Sequence, residues 1–150
     1  MRMSVYLRNA TRGSGLDRAA LERTIEALLD ALGERGSSVS LSLVRDPAIR
    51  ALNREWRGRD APTDVLSFPL EPAGDGANVE RLLGDIVISI DTAERQAAQY
   101  DAPLQRELER LLIHGVLHIL GHVHEHDDER DRMVAEERRL AAAIGMPWPY

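Results

Sequence analysis

Residues 82–90 read LLGDIVISI, an apolar run broken only by Gly84, Asp85 and Ser89. A strand with one wet face alternates apolar and polar residues, so a run without alternation reads as a central strand covered on both faces. The chain must therefore supply layers on either side of a sheet. Its other segments have the right periods. Leu21, Ile25, Leu28, Leu29 and Leu32 recur at helical spacing, and Gly33 is a natural stop just past the helix end. SVSLSLV (38–44) alternates serine with Val39, Leu41 and Leu43, a half-buried strand.

The remaining elements follow from local chemistry. SVYLRN (4–9) and DVLSF (64–68) read as short strands. Asp46 as N-cap and Pro47 in the first turn open a helix whose core face is Ile49, Leu52 and Trp56. PLEPAGDGANVER (69–81) is rich in proline and glycine and reads as a loop. Asp91 with Glu94 resembles a capping box for a helix reaching about Tyr100. Asp101 and Pro103 start another helix that runs to Gly121, a charged helix covers Asp128 to Ile144, and GMPWPY is a tail. The expected order is β-α-β-α-β-β-α-α-α: an α+β fold with a small mixed sheet of about four strands and about five helices. With no repeat and no linker, residues 1–150 are expected to form one domain.

Composition narrows the chemistry. The chain has no cysteine, which excludes disulfides, thiolate catalysis and cysteine zinc sites. The start, MRMSVYLRNA, has no apolar core of a signal peptide, and no apolar run nears the ~20 residues of a membrane span. A cytoplasmic location is expected. The net charge of −6 does not advertise a nucleic-acid partner, so any basic patch must be local. All basic residues are arginine, which reads as a compositional bias.

All five histidines lie between 114 and 126, in HGVLHILGHVHEH. On a helix, His114 and His118 project side by side at the edge of a face formed by Leu104, Leu108, Leu111, Leu112, Gly115 and Ile119. Buried imidazoles in such a place suit a metal ion, zinc above all, although nickel and other divalent transition metals also accept imidazole. Gly121 can end the helix and return the chain, so a third ligand can reach the same ion. His122, His124 and His126 alternate and are all candidates on local grounds. Three ligands would leave a position for water, the catalytic arrangement; four would close a structural site.

HGVLHILGHVH resembles the signature of the bacterial YbeY family of metal-dependent rRNA-maturation endoribonucleases, H-G-x-L-H-L-x-G-Y-D-H. LNREWRGRDAPTDVLSF (52–68) and LLGDIVIS (82–89) resemble two further blocks of that family, in family order and spacing. Position by position, the resemblance puts the metal ligands on His114, His118 and His124. It implies cleavage of single-stranded RNA, 3′-end maturation of small-subunit rRNA and ribosome quality control. His122-Val123 stands where the family has Tyr-Asp, so an acidic partner to the metal site would be missing there.

The residues are compatible with such chemistry. A metal ion polarises a phosphoryl oxygen and acidifies a bound water. An arginine suits the growing negative charge, being planar and always protonated. Arg57 matches the family's functional arginine and is expected to be catalytic or to clamp phosphate. Arg59, and more weakly Arg54, are expected to bind substrate, with Arg50 in the same basic stripe. Because the chain is acidic, docking on a ribosomal small subunit is expected to be helped by an assembly factor. Two other readings share the histidines. A zinc peptidase needs a glutamate after the first histidine, and Gly115 cannot serve. A non-catalytic, metal-stabilised ribosome-assembly factor needs four protein ligands rather than three.

Overall fold

The computed structural model describes residues 5–9, 16–70, 81–122 and 126–148. Most of the expected 69–81 loop, and His124, lie outside the described residues. The elements run β1 (Val5–Asn9), α1 (Arg18–Ala31), β2 (Ser37–Val44), α2 (Asp46–Arg57), β3 (Val65–Pro69), β4 (Arg81–Ser89), α3 (Ile90–Gln99), α4 (Leu104–Ile119) and α5 (Asp127–Ala143). The expected α+β class is what the structure shows.

The sheet order is β1-β2-β4-β3. β1 and β4 both run parallel to β2, while β3 pairs antiparallel with β4 in the register Ser67↔Ile86 and forms one edge. β4 is covered on both faces, as its composition requires. Ile86 and Ile88 point into the main core with Leu41, Leu43, Leu111, Leu112 and Val116. Val87, between them, points the other way and packs with Ile49 and Leu66 in a much smaller cluster beneath α2. Period-two alternation thus divides one strand between two cores.

Helix ends are fixed by glycines where the chain must turn left-handed. Gly121 has φ +93°, and the amides of Gly121 and His122 bond back to the carbonyls of His118 and Leu117. That is a Schellman closure, and it folds the chain back directly after His118. Gly33 makes the equivalent closure on α1, as expected.

Two helix starts differ from the sequence reading. The N-cap of α2 is Arg45, with Asp46 inside the first turn. The N-cap of α3 is Ser89, whose hydroxyl accepts from the Thr92 amide, in place of Asp91. Each aspartate serves the other helix. Asp46 accepts from the Ser89 and Thr92 hydroxyls and from Arg95, while Asp91 accepts from the Asp46 amide and from Arg45. The two N-termini are clasped reciprocally, a tertiary arrangement that no local capping pattern reveals.

Candidate active site

α4 is the most buried helix near the histidines, with Leu111, Leu112, Ile113, Val116 and Leu117 all essentially inaccessible. It lies across β3 and β4. Gly115 makes the close approach possible. A Cβ there would stand 3.1 Å and 3.2 Å from Ile86 side-chain atoms and 3.2 Å from Ser67 Oγ. The Ser67 hydroxyl donates to the Gly115 carbonyl at 3.1 Å. Position 115 therefore faces the sheet, and a glutamate has no room there. The peptidase reading fails on packing as well as on chemistry.

With Gly115 against the sheet, His114 and His118 point to the edge of the helix. Their rings lie 4.5 Å apart and their Nε2 atoms converge to 3.0 Å. Two nitrogens each ~2.0–2.1 Å from one ion would stand only slightly further apart, so the pair fits a shared transition metal. His114 Nδ1 lies 3.5 Å from a carboxylate oxygen of Glu137 on α5, whose side chain is nearly inaccessible. A carboxylate behind the distal ring nitrogen fixes the ring and makes its other nitrogen a better donor to metal. Glu137 escaped the sequence reading. Its signal was available: it shares a helical face with Met133, Leu140 and Ala141, all buried. It supplies the kind of acidic partner that His122-Val123 lacks.

Among the described residues, no third histidine, cysteine, aspartate or glutamate joins the pair in a metal-holding group. His124 lies outside the described residues. His122 sits near Glu136: that carboxyl is held below its ordinary range chiefly by its hydrogen bond to Arg139, with a weaker contribution from His122. His126 is 77% exposed and 3.8 Å from Glu129.

The cleft in front of the imidazoles has a volume of about 540 Å³, and Arg57, Arg59, Thr63 and Asp64 line it with His114 and His118. Arg57 closes α2 and its Nη2 donates to the Ser67 carbonyl on edge strand β3 at 3.4 Å. Gly58, at φ +69°, ends the helix, and Asn53 secures the turn that follows. The Asn53 amide donates to the Ala61 carbonyl, and the Arg59 amide donates to the Asn53 carbonyl. Asn53 is buried and was another residue the sequence reading missed.

The basic stripe is not uniform. Arg50 is held by a two-pronged ion pair with Asp60, at 2.9 Å and 3.1 Å. Arg54 borders a different hollow, with Pro47, Arg50 and Pro62. A chain of polar contacts ties the cleft loop to the histidine helix from behind. Asp64 accepts from the Gln96 amide, the Gln96 carbonyl oxygen accepts from Arg110, and Arg110 grips the fully buried Glu107 of α4 at 2.6 Å and 2.8 Å.

Residues 7–145 match the family described as Endoribonuclease YbeY. Relatives carrying that description include one from Anaeromyxobacter sp. (strain Fw109-5), 54% identical over 80% of this chain and 61% of its own length. Another, from Myxococcus xanthus, is 50% identical over 89% of this chain and 46% of its own. A third, from Rhizobium meliloti, is 41% identical over 86% of this chain and 82% of its own. The chain thus spans about half to three-fifths of the length of the first two. The solution structure of TM1509 from Thermotoga maritima superposes with a TM-score of 0.62 at 28% identity, covering 94% of this chain and 89% of that one. The chain belongs to the YbeY family.

Proposed function

We propose that the protein is a metal-dependent endoribonuclease that hydrolyses phosphodiester bonds in single-stranded RNA, working as one domain. The observation that carries this reading is the meeting of Arg57 and the His114/His118 pair in one cleft, although more than fifty residues separate them in sequence. An arginine facing a metal-ready imidazole pair suits a phosphodiester, whose reaction builds negative charge on oxygen. In this reading His114, His118 and His124 hold one ion, zinc by default. That ion, when bound, would supply Lewis-acid stabilisation of phosphoryl oxygen. Glu137 orients His114. Arg57 clamps the phosphate and stabilises its developing charge, and Arg59 on the neighbouring turn contacts the chain of the substrate. Arg54, directed to a separate hollow, contributes at most weakly.

The relatives' description supports RNA as substrate. We place the reaction in small-subunit rRNA 3′-end maturation and ribosome quality control, in the cytoplasm. The net charge of −6 makes free RNA a weak ligand, which favours substrate presented on a ribosomal particle with an assembly factor. Among the described residues, no helix is long and apolar enough to cross a membrane.

Incubation of single-stranded RNA with zinc-loaded protein, beside His114→Ala and Arg57→Glu, tests the reading. Cleavage by the parent and loss in both variants is expected; equal cleavage by all three means a contaminating nuclease and contradicts it. Zinc titration by calorimetry separates the ligand sets. His124→Ala is expected to bind weakly and His126→Ala tightly, and the reverse order contradicts the ligand assignment.

A further inference from the structure

Beyond the metal-ready cleft lies a second hollow of about 670 Å³ on the α2 face of the sheet. Its walls are Leu52, Trp56, Phe68 and Val87, with Ser42 and Asp85 as polar groups. It is continuous with the first cleft in one specific sense: Arg57 and Ser67 line both. Trp56, expected on the core face of α2, is instead 63% exposed, because the small cluster beneath that helix reaches only Ile49 and, in part, Leu52. Its ring meets Phe68 edge-on, centroids 6.1 Å apart, so its position is defined while much of its surface stays open.

We propose that this hollow is a nucleobase subsite, accepting the base of a nucleotide adjacent to the phosphate held by Arg57. The inference rests on the endoribonuclease reading and adds where the neighbouring base goes and what kind it is. A single strand that places one phosphate at Arg57 must send a flanking base to one side of that residue, and an aromatic wall stacks any base. Asp85, half-buried in the wall, sets the preference. A carboxylate repels phosphate but accepts hydrogen bonds from an exocyclic amino group. Adenine, cytosine and guanine carry one; uracil offers only its ring N3–H, flanked by two carbonyl oxygens that a carboxylate repels. The occupant is therefore an amino-bearing base, with the sugar-phosphate chain held outside by Arg57 and Arg59.

Cleavage kinetics on short oligo-A, oligo-C and oligo-U strands test this. Trp56→Ala is expected to raise KM about tenfold on oligo-A and to affect kcat less, with Trp56→Phe restoring most of the loss. Asp85→Asn is expected to reduce the preference of the parent for oligo-A and oligo-C over oligo-U. In a Trp148→Phe background, oligo-A is expected to quench Trp56 fluorescence. Unchanged KM in Trp56→Ala together with unquenched Trp56 overturns the proposal, and would mark the aromatic pair as a contact for a protein. Failure of the parent to cleave any strand contradicts the endoribonuclease reading itself. Cleavage by the parent with Trp56→Ala indistinguishable from it contradicts only the base subsite.

Discussion

α4 and α2 both deliver side chains of the proposed site to the same cleft, but they are held in opposite ways. α4 is packed into the main core, and nine of its sixteen residues are buried. Its histidines sit at the edge of a closely packed body, the kind of support that the proposed metal ligands require. α2 buries only Ile49 and Asn53 and stands on a three-residue cluster. Its arginine is positioned by its end: Gly58, the Asn53 clasp and the Ser67 carbonyl. In the proposed reading, the contrast teaches that a metal site and a phosphate clamp need different supports. Ligands must hold their mutual distance without a partner, whereas a guanidinium needs only its helix terminus anchored while its long side chain adapts to substrate.

The largest test of this difference is core truncation. Leu112→Ala on α4 should cost roughly 2–5 kcal/mol by leaving a cavity, while Leu52→Ala, half-buried under α2, should cost about 1 kcal/mol. Equal losses in urea denaturation would mean the two helices are seated alike. Gly115→Val should come next, losing about 1–3 kcal/mol because the added atoms meet Ile86 and Ser67. It should also weaken zinc binding where α4 relieves the crowding by lifting from the sheet; unaltered zinc affinity would mean that the Ile86 and Ser67 side chains shift instead. Glu107→Gln, which removes the charge facing Arg110, should cost about 2 kcal/mol and loosen the route through Gln96 to Asp64.

The smallest effect concerns the clasp that holds the start of α2. Burial works against ionisation of Asp46, but its bonds to Ser89, Arg95 and Thr92 outweigh that and keep its carboxyl below the ordinary range. The Asp46 amide and Arg45 do the same for Asp91. A carboxyl lowered in the folded state stabilises above its unfolded value, near 4, and loses that contribution as pH falls through the folded one. Thermal stability should therefore decline below about pH 4, and Asp46→Asn should start lower and decline less steeply. Parallel profiles for the two proteins would remove the clasp from the acid response.

Much of this was legible in the sequence where the signal is local. The apolar run of β4, without period-two alternation, announced two covered faces, the 3.6-residue period placed His114 beside His118, and glycines at 33 and 121 marked helix ends. What stayed hidden depends on partners distant in the chain. Asp46 and Asp91 each carry a capping signal, yet each is drawn to the other helix. Arg50 and Arg57 share one stripe; the family resemblance singles out Arg57, but the fold alone shows that Asp60 pairs with Arg50 while Arg57 lines the cleft. Gly115 was informative as the absence of a base; its packing role appears only against Ile86. Glu137 supports His114 from a helix whose overall charge conceals one nearly buried carboxylate.

The central claim is that the arginine at the end of α2 and the imidazoles of α4 act on one phosphate. The most direct measurement is kcat for zinc-loaded Arg57→Ala and Arg50→Ala on the same single-stranded RNA, with zinc affinity measured on both. Each variant removes one positive charge from α2. Arg57→Ala should lower kcat about 10²–10³-fold with zinc affinity unchanged, and Arg50→Ala should stay within about twofold of the parent. Equal losses in the two variants would reduce Arg57 to one charge among several, and contradict the claim.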